Sequence, residues 1–256
     1  MHKKRTISLF LLVIYCVLPI LVLFALSFSL NWVYPNILPQ TFTLRHWKEF
    51  LFDGNGLQQS FFNSLTISLF VAFTSTLLGF ICSKWIAYHK RRRLLLLVTY
   101  FPFALSPVIF AICLKFYFLK AGLAGNLPGI IIAQLIIAFP YATIFFTSFW
   151  NKSIKDYSNI ASTLGSSPFN SYLKIIFPLA KSFLLTGFFQ CFIISWFEYG
   201  LTNIIGYGKV QTLTIRVFQF IGEANIFYAA LSSCLLILPP VILLWVNKKF
   251  VVHQTR

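Results

Sequence analysis

Six stretches of this chain are apolar over about 20 residues or more, the length a helix needs to cross the hydrocarbon core of a bilayer. They run from Ile7 to Leu30, Phe61 to Ala87, Leu94 to Phe118, Leu127 to Trp150, Ser182 to Ile205 and Ile226 to Asn247. Such segments must be helical in lipid, because other conformations leave backbone polar groups unpaired there. Barrel strands would be about half as long and would alternate apolar with polar residues. The sequence therefore predicts an all-α, polytopic membrane protein with six transmembrane helices. Composition agrees, with 58% hydrophobic and 10% charged residues against about 25% charged in soluble chains. A basic start (Lys3, Lys4, Arg5) and the tripeptide Ala25-Leu26-Ser27 loosely resemble a signal peptide. The apolar run between them is longer than the ~7–15 residues of a signal core, so it reads as a span.

The formal charge is +16, a value that could indicate nucleic acid. Here the cations fall in short runs between apolar stretches, which excludes a nucleic-acid patch and instead orients the chain in a membrane. With both termini inside, fifteen of the 21 basic residues lie on the cytoplasmic side, including Lys84, Lys90 to Arg93, Lys152, Lys155, Lys174 and Lys181. Arg45, Lys48, Lys115, Lys120, Lys209 and Arg216 remain outside. The positive-inside rule thus predicts cytoplasmic N and C termini. Cys16, Cys82, Cys113, Cys191 and Cys234 all sit in apolar segments without a CxxC pair, and His2, His46, His89 and His253 are scattered. No metal or disulfide framework is expected.

Two connecting stretches are long enough to carry structure. Outside, Asn31 to Ser60 opens with Pro35 and Pro39, and its Leu44, Trp47, Leu51 and Phe52 share a helical face, predicting a short interfacial helix. Inside, Asn151 to Lys181 reads as two short helices joined by a tight turn. Gly165 is placed to end the first in a left-handed conformation, Ser167 to cap the second and Pro168 to open it. Pro178 marks the return to the membrane. From the residues alone, this loop serves equally as a connector or as a docking element for a partner.

The spacing Ala161, three residues, Gly165, nine residues, Ile175-x-Phe177-Pro178 resembles the EAA loop of permease subunits of binding-protein-dependent ABC importers. Asn159, Ile160 and Phe177 depart from that pattern, which has Glu, Ala and Leu there. The resemblance extends through LLGFICSKWIAY, FPFALSPVIFAI and GLAGNLPGIIIAQLIIAFPYA to SWFEYGLTNIIGYGKVQTL, the last similar to the subgroup importing polyamines, ferric iron, thiamine and oxyanions. It implies a type I ABC importer permease fold in a bacterial plasma (inner) membrane. Residues 1–60 would form an N-terminal span with its outer loop, 61–250 the importer transmembrane domain with the coupling loop at 151–181, and 251–256 a cytoplasmic tail. The resemblance further implies that Asn159, Ala161, Gly165, Ile175 and Pro178 belong to a loop seated on an ABC ATPase, present in two copies. The other implied partners are a second permease subunit or a second copy of this chain, an outer-side solute-binding protein and membrane lipid. No GxxxxGK[ST] loop is present, since Gly208-Lys209 is followed by Val210, so ATP and magnesium would be used by the ATPase and no cofactor by this chain.

Glu198 is the one acidic residue within a predicted span. Gly187, Cys191, Ser195, Glu198 and Thr202 recur at helical spacing as a small, polar stripe, expected to face protein or water while Phe188, Phe189, Phe192, Ile193, Trp196 and Phe197 meet lipid. Glu198, with Gln190 and Thr202, is a candidate for the wall of a translocation path favouring a small polar or cationic solute. Equally, it could cap broken helix backbone or pair with another subunit. Gln134, Asn63, Tyr141 and Thr143 read as interhelical hydrogen bonders, and the prolines within spans as kinks. A self-contained channel or secondary carrier is the alternative, but one carboxylate and no internal repeat argue against it. A membrane enzyme lacks convergent acids, nucleophiles or metal ligands.

Overall fold

The computed structural model describes residues 2–32, 36, 39, 41–52 and 56–252. Pro35, His253 and Arg256, and with the last two most of the short C-terminal tail, lie outside the described residues. The described chain is helical apart from one two-stranded hairpin. In order it forms α1 (His2–Ser27), β1 (Ser29–Asn31), β2 (Thr41–Phe42), α2 (Arg45–Phe52), α3 (Leu57–Tyr88), α4 (Arg92–Tyr100) and α5 (Pro107–Lys120). There follow α6 (Leu127–Thr147), α7 (Lys152–Thr163), α8 (Pro168–Ser171), α9 (Phe177–Trp196), α10 (Gly200–Gly206), α11 (Leu213–Gly222) and α12 (Ile226–Val252).

Four helical stretches are each long and apolar enough to cross a membrane: Leu57–Tyr88, Leu127–Thr147, Pro168–Trp196 and Ile226–Lys248. A fifth candidate is broken. The expected span from Leu94 to Phe118 is two arms, Arg92–Ala104 and Val108–Lys120, bent by 93°. Its FPFALSP segment explains the break. Phe101–Ala104 tightens into a 3₁₀ turn, Ser106 is extended (φ −60°, ψ 139°), and Pro107 restarts the helix without an N–H to offer the preceding turn. The first predicted span also ends early, because α1 stops at Ser27 and Ser29 already belongs to β1. The predicted span from Ser182 to Ile205 is interrupted after Trp196 and resumes as α10.

The chain packs as two compact units. One comprises residues 1–63 and 211–239. In it β1 pairs antiparallel with β2 and α2 follows, amphipathic as expected. The side of α2 that is buried carries His46 and Phe50, whereas Leu44, Leu51 and Phe52 of the predicted apolar face are exposed. An exposed apolar face on a short amphipathic helix suits a helix lying in an interface. His46 Nε2 lies 3.2 Å from the Ser29 carbonyl. Glu49 accepts from Arg45 at 2.6 Å and from the Tyr228 hydroxyl of α12. Those two donors hold the Glu49 carboxyl below the usual carboxylate range, the tyrosine bond contributing most. The Asn63 amide donates to the Gln211 carbonyl at 3.1 Å, joining α3 to the segment before α11.

The second unit comprises residues 64–210 and 240–256. Its helices approach closely at small residues. A Cβ added to Gly79 on α3 would lie 2.6 Å from the Ala142 side chain, and one on Gly187 of α9 would strike the Phe146 ring of α6. Small residues at such crossings maximise packing where no hydrophobic force distinguishes helix from lipid. One apolar cluster joins Ile67 and Val71 to Ile130 and Ala138; another joins Ala111 and Phe118 to Ala133, Leu201 and Ile205. Trp150 donates its indole N–H to the buried Ser83 hydroxyl at 2.8 Å.

Candidate functional site

Both candidate regions lie within the second unit. The first is a cavity of about 340 Å³ at the interruption between α9 and α10, walled by Val108, Gln134, Ile194, Ser195, Glu198 and Tyr199, among others. Helix α9 ends at Trp196, so the N–H groups opening α10 need new acceptors. Glu198 supplies them. Its Oε1 accepts from the Leu201 N–H at 2.6 Å, and its Oε2 accepts from the Thr202 N–H at 2.9 Å and the Thr202 hydroxyl at 2.6 Å. Of the roles open to Glu198 in the sequence, the structure displays capping of broken helix backbone, and it also sets the residue against the cavity.

The cap is tied into a polar chain across four helices. Gln134 of α6 donates to the Thr202 hydroxyl at 2.9 Å, and its Oε1 accepts from the Ser195 hydroxyl. The hydroxyls of Ser195 and Ser68, on α3, hydrogen-bond at 3.3 Å. Ser68, Gln134, Ser195 and Thr202 are all buried, where an unmade hydrogen bond would be expensive.

Thr202 hydrogen-bonds to Glu198 without lining the cavity, while Gln190 does neither. The Gln190 side-chain oxygen is buried without a hydrogen-bond partner among the described residues. Gly187, Cys191, Ser195 and Thr202 of the predicted stripe are buried. Of the aromatics expected to meet lipid, Phe197 is exposed, but Phe192 and Trp196 are fully buried and stack at 5.4 Å. Bulk at these two positions packs protein rather than acyl chains. The sequence reading missed Val108 and Tyr199 as cavity wall and Ser68 as part of the network. The Ser106-Pro107 break was a signal for Val108, since a helix restarting at depth presents its first residues to a cavity.

The second region is the 151–181 loop. Asn151 caps α7 by accepting from the Ile154 N–H at 3.0 Å. The helix ends as expected: Gly165 has φ +78°, the Ser166 N–H donates to the Ala161 carbonyl at 3.0 Å, and the Gly165 N–H donates to the Ser162 carbonyl at 3.1 Å. This pair of bonds is a Schellman motif, which favours glycine at the left-handed position. Ser167 then accepts from the Asn170 N–H at 3.2 Å, with Pro168 opening α8. A π-turn over Tyr172–Ile176 leads into α9, and Pro178 falls in the first turn of that helix. The wider turn accommodates a residue with no N–H to donate.

Within the loop Ala161 is buried, Ile175 is half-buried, and Asn159, Gly165 and Pro178 are exposed. Apolar side chains also point outwards: Tyr157, Ile160, Leu164 and Phe169 are all at least half exposed, Leu164 by 82%. The loop therefore presents a cluster of exposed apolar groups on rigidly capped backbone.

Helices of membrane-spanning length, a cavity at a broken helix whose largely apolar wall carries one carboxylate, and a rigidly capped loop describe a multi-pass membrane protein. The chain belongs to the family described as binding-protein-dependent transport system inner membrane component, which matches residues 75–251. It is 26% identical over 237 residues to a putative 2-aminoethylphosphonate transport system permease protein from Salmonella typhimurium, covering 89% of this chain and 86% of that protein. It is 25% identical to the spermidine/putrescine transport system permease protein of Haemophilus influenzae, covering 85% and 84%. The fold matches a chain in the crystal structure of a bacterial ABC transporter involved in the import of the acidic polysaccharide alginate, with TM-score 0.72 and 18% identity over 97% of this chain and 95% of that one. The protein is thus an ABC importer permease subunit.

Proposed function

We propose that this permease forms half of the solute path of an ATP-driven importer in a bacterial inner membrane, with both termini cytoplasmic. Its 151–181 loop takes the stroke of a separate ATPase. One observation carries the coupling role: Tyr157, Ile160, Leu164 and Phe169 stand exposed on helices whose ends are fixed by a Schellman turn and two side-chain caps. Exposed apolar clusters of this kind mark partner surfaces, and a rigid mount transmits force without bending. Asn159, Ala161, Gly165, Ile175 and Pro178 build that mount rather than supply its charge. Two ATPase copies, a second permease or a second copy of this chain, and an outer solute-binding protein complete the machine.

For the solute, the cavity wall is the guide. Glu198 brings a carboxylate to it and no basic residue lines it. That wall suits a small polar or cationic solute such as a polyamine, thiamine or ferric ion. The solutes that name two relatives, 2-aminoethylphosphonate and spermidine/putrescine, both carry an ammonium group, the first together with an anionic phosphonate. Deleting Ser158 to Gly165 tests the coupling. The deleted chain should still insert in the membrane while no longer co-purifying with its ATPase. Retention of the ATPase would refute the coupling role.

A further inference from the structure

Where α3 ends, cations collect without carboxylate partners. Lys84 and Lys155 line one cavity of about 200 Å³ with Tyr88, Trp150 and the neutral Asn159. Lys84 and Tyr88 also line an adjoining groove of about 360 Å³ with Ile81, Trp85 and His89. Lys84 Nζ lies 5.6 and 5.5 Å from the ring centres of Trp150 and Tyr172, and Lys155 Nζ lies 5.6 Å from that of Tyr88. Neither lysine forms an ion pair among the described residues, and Asp156, next to Lys155 in α7, pairs with neither. The basic run Lys90 to Arg93 follows directly.

The order of side chains is that of a bilayer's own layers. Ile81 and Trp85, one turn apart on α3, are more than half exposed. Tyr88 and Trp150 follow at the level of aromatic belts, then Lys155 and the Lys90 to Arg93 run; Lys84, beside Trp85 on α3, reaches the same level through its long side chain, with Nζ against Trp150 and Tyr172. An acidic protein partner would match the cations but not the exposed apolar groove that opens from them. A free anion would match only the lysines.

We infer that this junction binds one anionic phospholipid, its phosphate between Lys84 and Lys155 and its acyl chain along Ile81 and Trp85. Basic pockets beside transmembrane helices recognise such headgroups. Because Lys84 belongs to the membrane helix and Lys155 to the coupling loop, the lipid would brace the loop against α3. Anionic lipid would then support coupling in addition to solvating the protein.

The test is lipid binding to the purified full chain, read by native mass spectrometry, with phosphatidylglycerol and phosphatidylcholine as probes. Phosphatidylglycerol should be retained at least tenfold more tightly. Lys84→Gln and Lys155→Gln should each weaken it about fivefold, from the worth of one cation at an anionic lipid surface. Lys84→Arg keeps the charge and should not weaken it, which controls for misfolding. Asn159→Glu should weaken it at least as much as losing a lysine, since it places a carboxylate in the same cavity. Equal retention of the two lipids, or no effect of Lys84→Gln, Lys155→Gln and Asn159→Glu, would overturn the site. So would displacement by millimolar inorganic phosphate, which would make it a free-anion site. Loss of the ATPase from the lysine variants with lipid retention unchanged would assign the cations to a protein partner instead. Since the readout is binding, failure here would leave the transport reading standing.

Discussion

Replacing Glu198 separates its structural role from any role in the path. The carboxylate accepts three hydrogen bonds, from the Leu201 N–H and from the N–H and hydroxyl of Thr202. Glutamine has one acceptor oxygen. If it keeps the Leu201 bond, its NH₂ group faces the Thr202 N–H, donor against donor, and a buried unsatisfied donor costs about 1–3 kcal/mol. Glu198→Gln should therefore destabilise the chain by about 1–3 kcal/mol. Glu198→Ala strips all three donors of their acceptor, but the cavity of about 340 Å³ admits water that can replace some bonds, so about 2–4 kcal/mol is expected rather than the full sum. Because the Thr202 hydroxyl donates to Glu198, Thr202→Val and Glu198→Gln disturb one shared bond and should not add in full. The double-mutant cycle should show a coupling of about 1 kcal/mol or more. The assay is denaturant unfolding of the detergent-solubilised chain followed by tryptophan fluorescence, with solute uptake by the reconstituted importer measured on the same variants. Stability of Glu198→Ala within a few tenths of a kcal/mol of the parent, or a coupling near zero, would refute the capping argument. Uptake by Glu198→Gln at the parent rate, once matched for folded protein, would remove the residue from the path.

Gly187→Val should destabilise by about 1–3 kcal/mol through overpacking, because the added Cβ meets the buried Phe146 ring, itself edge-packed on Phe80 at 5.4 Å. Combining it with Phe146→Leu should recover most of that loss, and thermal unfolding that shows no recovery would place the strain elsewhere. The Glu49 anchor should respond to acid in a defined direction. Its carboxyl is held below the usual range by Tyr228 and Arg45, so its stabilising contribution is full at neutral pH. That contribution should begin to fall as pH drops through the ordinary glutamate range near 4.3, where the unfolded chain takes up the proton first, and should be gone once pH has fallen through the lower folded value. Tyr228→Phe removes the larger cause and should move the loss of protease resistance around α2 to higher pH; an unchanged midpoint would exclude this anchor.

How much of this was legible in the sequence depends on how far each signal reaches along the chain. Backbone punctuation is local, so Gly165, Ser167 and Pro168 were read correctly from neighbours within four residues, and the prolines flanking Phe103 announced a break though not its 93° angle. Membrane residence was legible as well, because about 20 apolar residues without paired charge have no other stable environment. Hydropathy could not tell which apolar residues face lipid, since lipid and protein interior are equally apolar to a phenylalanine; Phe192 and Trp196 turned inward for that reason. The partners of Glu198 were equally beyond reach. Ser68, Gln134, Ser195 and Thr202 come from helices scattered along the chain, whose hydroxyls and amides meet only once the helices have packed, α3 and α9 against α6 at Gly79 and Gly187 among other contacts. Gln190, one residue from Cys191, was left out because a 100° step around α9 points it away from that meeting place. Sequence determined that the chain lives in a membrane and where its backbone turns. Tertiary structure decided which polar groups find one another, because a hydrogen bond in a dry interior is set by distances of about 3 Å that no pattern along the chain encodes.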